Sequence, residues 1–370
     1  MKFVCDRLSL LKEISIAQEI IASKNAISIL SNIYLEARND NLTIRATDMK
    51  VFFETVIPIT VIEPGTITVF GDKFFGILNT FPFDEFEFSQ NDINILIEPT
   101  VQKKTEFKSE SKLKCIASEK FPEFPVSAGT FFEIPIKDFK EMVQQTIFSV
   151  SDDETRYFMN GVFLEKSGDD LNMVATDGRR LSCISKYADK SIEDFQGVII
   201  PIKILNTIIK RAGDEGLISM SITDKTIFIN FASYKFSSLL LEGQFPNYRK
   251  VIPDKQQLDL TVNRAVLLET LHRVAVMVEQ KNKRVYLGIK PGKMSVYSEE
   301  NEYGGSEFEI PCNYEGDEIT LALNYRYIEE PCKAIKADEM SIRFTEFNKA
   351  ITIVSAPEKD FFHIVMPMQP

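Results

Sequence analysis

Apolar and polar positions along this chain fall into blocks that recur. Three stretches alternate apolar and polar residues, break at a polar turn, and alternate again: "IYLEARNDNLTIRATDMK" (33–50), "GVFLEKSGDDLNMVATDGRR" (161–180) and "VYLGIKPGKMSVYSEENE" (285–302). A period of two on either side of a turn predicts paired antiparallel strands. Each pair runs into a hydroxyl–acid dipeptide. Thr47-Asp48, Thr176-Asp177 and Ser298-Glu299 stand 129 and 122 positions apart.

Two helical markers keep nearly the same offset. "GDKFFGILNTFP" (71–82), "PIKILNTIIKRAG" (201–213) and "NYRYIEEPCKAI" (324–335) place apolar residues at three- and four-residue steps, as at Ile204, Ile208 and Ile209. Each follows an apolar strand: TITVFG, GVIIPI or EITLALN. Lys73, Lys203 and Arg326 within them are 130 and 123 apart. The third marker opens each unit with an entry strand (MKFVCD, TFFEIPI, LDLTVN) and an amphipathic helix over 6–21, 136–150 or 263–278. The expected apolar faces are Leu8, Leu11 and Ile14; Phe139, Met142, Val143 and Ile147; and Leu267, Leu268, Leu271 and Val274. Three markers on one beat predict three copies of an α+β unit, each with two helices packed on antiparallel sheets. Pro-rich joints at 119–129 and 243–257 set the expected domains at 1–125, 126–253 and 254–370.

Composition narrows the function. At 370 residues the chain exceeds one core, and 44% apolar content with 29 Phe suffices for several. A net charge of −11 argues against a generic nucleic-acid binder, although a basic stripe can sit within an acidic protein. No run approaches the ~18 apolar residues of a membrane helix, and "MKFVCDRLSLLKEI" lacks the apolar core of a signal peptide. Cys5, Cys115, Cys183, Cys312 and Cys332 are odd in number and show no CxxC spacing. Reduced thiols and a cytoplasmic location are therefore expected. Two histidines form no zinc pattern, and no phosphate loop, dinucleotide fingerprint or nucleophile elbow occurs. Neither cofactor nor metal nor enzymatic activity is expected. A carboxylate-based hydrolase competes with this reading, but no acid pair stands out.

Specific motifs then carry a resemblance. "VATDGRRL" (174–181), "EGQFPNYRKVIP" (242–253) and "VMPM" (365–368), with "MKF" at the start and "RYFMNGVFLE" (156–165), resemble the bacterial sliding clamps, the beta subunits of DNA polymerase III, in order and over the whole length. The resemblance implies three tandem clamp-fold domains and a head-to-tail homodimeric ring. It implies a processivity factor that encircles duplex DNA without reading sequence. Implied partners are double-stranded DNA, a second copy, the clamp loader, the DNA polymerase III alpha subunit and other clamp-motif proteins. A structural protein that holds DNA by direct contact is the alternative.

Three surfaces follow from the resemblance. Basic residues on helices that the family turns toward DNA are Lys24, Lys73, Lys137, Lys140, Lys203, Lys210, Arg211 and Arg326, and Tyr157 matches an aromatic near the DNA backbone. The expected subunit seam sets Lys112, Leu113, Lys114 and Ile116 of "SKLKCI" (111–116) against Glu299, Glu300 and Glu302 of "SEENEYG" (298–304). Leu271, Val274, Ala275 and Met277 stand behind it, either at the seam or in their own core.

The third surface explains an apolar, proline-punctuated ending, "FFHIVMPMQP" (361–370). In the family this segment walls a cleft that takes a short, mostly apolar peptide with a Gln and a Leu/Phe end. The matching positions are Met159, Thr176, Gly178, Arg179, Arg180, Leu181, Pro246, Lys250, Val251, Asn324, Tyr327, Ile364, Val365, Met366, Pro367 and Met368. Methionines suit a groove that receives varied side chains. Arg180 either bonds a peptide carbonyl or holds the wall. Arg179, Lys250, Asn282 and the Gln369-Pro370 end depart from the family pattern, and the extra positive charge of Arg179 predicts a preference for acidic flanks.

Overall fold

The computed structural model describes residues 1–21, 28–100, 110–189 and 192–369. Among these, six α-helices appear at the six expected places: α1 (Arg7–Ile20), α2 (Gly71–Thr80), α3 (Ile136–Thr146), α4 (Ile202–Arg211), α5 (Arg264–Ala275) and α6 (Tyr325–Ala334). Local chemistry starts several of them. The Asp6, Asn263 and Asn324 side chains accept backbone N–H bonds from Ser9, Val266 and Arg326, satisfying donors that a helix start leaves open. The buried face of α1 is Leu10, Ile14 and Ala17, whereas Leu8 is 58% exposed. Apolar residues at 8, 10, 11 and 14 fit two phases of one helical period, and only packing selects between them.

Contacts divide the chain into two compact units, and the central repeat contributes to both. The first unit comprises Met1–Ile136 and Lys203–Leu240. One run of thirteen paired strands threads it. Its core is aromatic: Phe3 stacks on Phe88 with centroids 4.6 Å apart, and Phe74 meets Phe88 edge-on. The second unit comprises Lys137–Ile202 and the chain from Leu241 onward, and holds an eight-stranded and a four-stranded sheet.

Each repeat contains a three-strand meander. In the first it is Asn32–Arg38, Asn41–Thr47 and Val51–Pro58; in the second, Gly161–Ser167, Asp170–Thr176 and Arg180–Tyr187; in the third, Arg284–Lys290, Lys293–Tyr297 and Glu307–Pro311. The outer strand of the first meander pairs antiparallel with Tyr234–Leu239 of the second repeat, with Phe236 opposite Phe53 and Lys235 opposite Glu54. The outer strand of the second pairs in the same way with Phe361–Val365 of the third, with Leu181 opposite Ile364. The outer strand of the third, Glu307–Pro311, pairs only with Lys293–Tyr297 among the described residues.

The counterpart open edge lies in the first repeat. Ser111–Ile116 pairs with Asn94–Pro99 through residues 111–114 and reaches Gly65–Phe70 only through Cys115 and Ile116. Its edge along Ser111–Lys114 thus lacks a second strand among the described residues. A bare edge leaves a row of unpaired N–H and C=O groups facing outward.

The joint between first and second repeats is closed by charge as well as by backbone pairing. Glu54 binds Arg45 at 2.7 Å and Lys235 at 2.9 Å. Burial alone would raise its carboxyl, but those two cations hold it below the usual range. Beside it Phe53 and Phe236, both fully buried, sit 5.2 Å apart. Phe236→Ala should cost about 3–5 kcal/mol, as expected for emptying a large core site. Urea unfolding followed by circular dichroism checks it; a loss below about 1 kcal/mol would show that this joint does not hold the unit together.

Candidate functional site

The site is built around a turn that the chain makes twice. In the first repeat, the Asp48 carboxylate accepts N–H bonds from Lys50 and Val51 at 2.9 and 2.7 Å, and the Thr47 hydroxyl donates to the Val51 carbonyl at 2.8 Å. In the second, Asp177 accepts from Arg179 and Arg180 at 2.8 and 3.0 Å, and Thr176 donates to the Arg180 carbonyl at 2.6 Å. The residue after each acid has a left-handed backbone, Met49 at φ 73 and Gly178 at φ 87. The recurring Thr-Asp therefore closes a strand-to-strand turn; the acid caps backbone donors. In the third repeat the corresponding Ser298 is bonded across a longer excursion, its hydroxyl accepting from Ser306 N–H at 3.1 Å.

Arg180 is consumed by this architecture. Its Nε donates to Asp177 at 3.0 Å, and its other nitrogens donate to the Glu330 carboxylate and the Phe148 carbonyl. The guanidinium stacks over Tyr327 at 4.5 Å and is only 11% exposed. Of its two expected roles it fills the second: it holds the wall.

The terminal segment continues the sheet. Strand Phe361–Val365 lies between Arg180–Tyr187 and Ile351–Ala356. Beyond it, Met366 N–H bonds the Arg179 carbonyl at 2.9 Å and Met368 N–H bonds the Ala322 carbonyl at 2.8 Å. A groove of about 560 Å³ opens there, lined by Arg179, Asn324, Tyr327, Met366, Pro367 and Met368, six of the sixteen expected positions. Its other wall is the Gln280–Arg284 segment, with Gln369 alongside. Sequence reasoning marked Asn282 there and missed the rest, because two lysines after a helix read as ordinary surface.

Leu181 and Ile364 form a buried cluster with Val174, Cys183, Ile199, Phe245 and Tyr248. Met159, Thr176 and Val365 are buried too. Pro246 is half-buried, Lys250 exposed and Val251 54% exposed, flanking Phe245 and Tyr248 in sequence. Met159, Pro246, Lys250 and Val251 are not among the groove's lining residues.

Three of the basic positions, all on α4, are committed to acids of the first repeat. Lys203 on α4 binds Asp48 at 2.6 Å and the Ile20 carbonyl at 2.9 Å. Burial pushes the Asp48 carboxyl up, and Lys203 with two backbone N–H groups pulls it below its usual range. Lys210 and Arg211 reach Glu19 on α1 at 3.4 and 3.2 Å. Lys73, Lys137 and Arg326 are exposed on α2, α3 and α6, Lys140 is half-buried on α3, and Tyr157 is 52% exposed. Lys24 lies outside the described residues.

At the expected seam, Lys112 and Lys114 occupy the open-edged strand Ser111–Ile116, with Ile116 48% exposed and Leu113 between the two lysines. Leu271 and Val274 are wholly buried within their own unit, packed as core, which corrects their expected place behind the seam. Ala275 and Met277 are half-buried and Val276, not foreseen, is 79% exposed. Glu299, Glu300 and Glu302 lie on the excursion and not on a strand; Asn301 there donates to the Met277 carbonyl at 2.9 Å. The open strand edge carries Glu307 and Glu309 instead.

Three tandem α+β repeats stitched strand to strand, with a groove at the tail whose floor is Met366, Pro367 and Met368, define the class of DNA sliding clamps. The chain belongs to the DNA polymerase III beta subunit family. Models of its N-terminal, central and C-terminal domains match residues 1–125, 133–247 and 249–369. It is 42% identical to the "Beta sliding clamp" of Treponema pallidum and 28% identical to that of Rickettsia bellii, each over the whole of both chains. The DNA polymerase III subunit beta of Borrelia burgdorferi, solved with a natural product, superposes with a TM-score of 0.93 at 25% identity, covering all of this chain and 98% of that one. A Pseudomonas aeruginosa sliding clamp bound to griselimycin gives the same TM-score at 24% identity over both chains. The protein is a sliding clamp, a processivity factor of DNA replication that works with DNA and polymerase.

One buried group behind the wall titrates. His363 is fully enclosed; Nδ1 meets the Ser182 hydroxyl at 2.8 Å, and Nε2 has no partner among the described residues. Burial, aided by the Arg180 charge, pushes its pKa down to about 3. An unfolded chain takes up that proton below about 6.5, while the folded chain refuses it. Stability is therefore complete above pH 6.5 and is lost as pH falls toward 3, by at most about 1.4 kcal/mol per pH unit from this group. Denaturant midpoints for the wild type and His363→Gln between pH 7 and 5 check it. The variant should show the shallower decline, and parallel curves would refute the assignment.

Proposed function

We propose that two copies of this chain close head to tail around duplex DNA and that the tail groove receives short peptides of replication and repair proteins, the clamp loader and the polymerase alpha subunit among them. The observation that carries the reading is the pattern of strand joints. The chain makes the same outer-strand joint twice and, among the described residues, leaves its two halves open, Ser111–Lys114 in the first unit and Glu307–Pro311 in the second. A second copy offers each open edge its complement, and two identical joints close a cyclic dimer. Lys112 and Lys114 then face Glu307 and Glu309, as Lys235 faces Glu54 inside the chain. Val276, Ala275 and Met277 supply apolar contact beside them.

In this reading the domains run 1–125, 126–253 and 254–370, and the protein performs no chemistry of its own. No helix among the described residues is long and apolar enough to cross a membrane, in keeping with a cytoplasmic place of work. Lys73, Lys137, Lys140, Lys210, Arg326 and Tyr157 line the DNA side with sparse positive charge. Lys203 and Arg211 chiefly tie α4 to the first repeat. Sparse positive charge suits a tether, because each phosphate contact adds salt-dependent affinity and hence drag.

Scattering with absolute mass at micromolar concentration tests the assembly: an 84.4 kDa particle (2 × 42.2 kDa) with a central hole is expected, and a compact monomer would reject it. Lys112→Glu with Lys114→Glu should shift the protein to monomer, and adding Glu307→Lys with Glu309→Lys should restore the dimer. Monomer that the second pair fails to rescue would place the seam elsewhere. In the groove, Met366→Asp should weaken binding of an apolar Leu/Phe-ended peptide about tenfold or more by calorimetry, as for loss of a buried anchor. Unchanged affinity would move the peptide off the tail.

A further inference from the structure

We infer that the tail groove selects peptides whose apolar anchor is flanked by glutamate or aspartate. This rests on the peptide reading above and adds the charge of the occupant. Arg179, Lys281, Lys283 and Arg284 all line the groove, and no Asp or Glu lines it among the described residues. Only Arg284 has a compensating acid, Glu299 at 3.8 Å; Arg179, Lys281 and Lys283 have no ion-pair partner among the described residues. In a chain of net charge −11, whose α4 cations are all tied to acids, such a concentration of uncompensated positive charge runs against composition.

The backbone that carries two of these cations is also held in place. Arg179 belongs to the turn capped by Asp177. Lys283 has a left-handed backbone at φ 54, its N–H bonded to the Glu279 carbonyl at 2.8 Å and its carbonyl accepting from Tyr325 N–H at 2.9 Å. Rigid mounting lowers the ordering cost of binding. Fixed charge around an apolar floor selects a ligand that is apolar in the middle and acidic at the margin, and it speeds encounter as well. Duplex DNA is the other polyanion at hand, but a floor of Met366, Pro367 and Met368 offers nothing to a phosphate backbone.

The test uses the full-length protein and fluorescein-labelled ten-residue peptides that share one core of Gln, Leu and a Leu-Phe end. One carries three flanking glutamates, the other three glutamines. The glutamate peptide should bind about five- to tenfold tighter at low salt, from a few exposed charge pairs. The gap should close toward about 1 M salt, and Lys281→Glu with Lys283→Glu should erase it. Equal affinities for the two peptides would overturn this inference and leave the cleft standing. If neither peptide bound, the inference and the cleft reading would fall together. Displacement of the glutamate peptide by a short duplex would assign the rim to nucleic acid and overturn it as well.

Discussion

A strand at the edge of a sheet must have its backbone groups met, and most of this architecture follows from how that demand is handled. Each repeat presents one outer strand that its own fold leaves unpaired. The chain meets the demand twice by lending a strand from the next repeat, Tyr234–Leu239 to Val51–Pro58 and Phe361–Val365 to Arg180–Tyr187. Compactness consequently follows the joints and not the repeats, and the central repeat is shared between two units. Among the described residues, Ser111–Lys114, rich in lysine, and Glu307–Pro311, rich in glutamate, receive no such loan. Such charge deters chance pairing of like edges and suits a specific unlike pairing.

The same small part serves different ends in different repeats. The Thr-Asp turn is fixed by its own backbone bonds in both the first and second repeats. In the first, its acid's outer oxygen binds Lys203 and fastens α4; in the second, it binds Arg180, which fastens α6 through Glu330 and Tyr327. The third repeat opens the turn into an acidic excursion against Met277. Repetition thus supplied a rigid part, and the neighbouring residue decided whether it became a strut, a cleft wall or a surface.

Charge is handled in a way that an acidic total conceals. Several cations expected on the DNA side are neutralised by Glu19 and Asp48 within the first unit. Uncompensated positive charge instead collects at the tail groove. On the proposed reading, in which the ring slides on DNA and the groove takes partner peptides, that distribution has a reason, because salt-dependent grip is useful for partners and harmful for sliding.

Much was legible in the amino-acid order. Period-two blocks, helical steps and a constant offset of hydroxyl–acid pairs determined three α+β repeats, six helices and their boundaries within a few residues, because these depend on local backbone geometry and on which face is apolar. The family motifs located the tail and the Thr-Asp turn. Tertiary structure alone decided the rest. It chose Leu10 over Leu8 as the inward face of α1, because two phases fit the same pattern. It placed Leu271 and Val274 in the core and left Val276 exposed, because burial depends on what packs above a helix. It occupied Arg180 with Glu330, 150 residues away, and brought Lys281 and Lys283 to the tail groove. Partners so distant along the chain leave no periodic trace in it; only the folded backbone brings them within reach of one another.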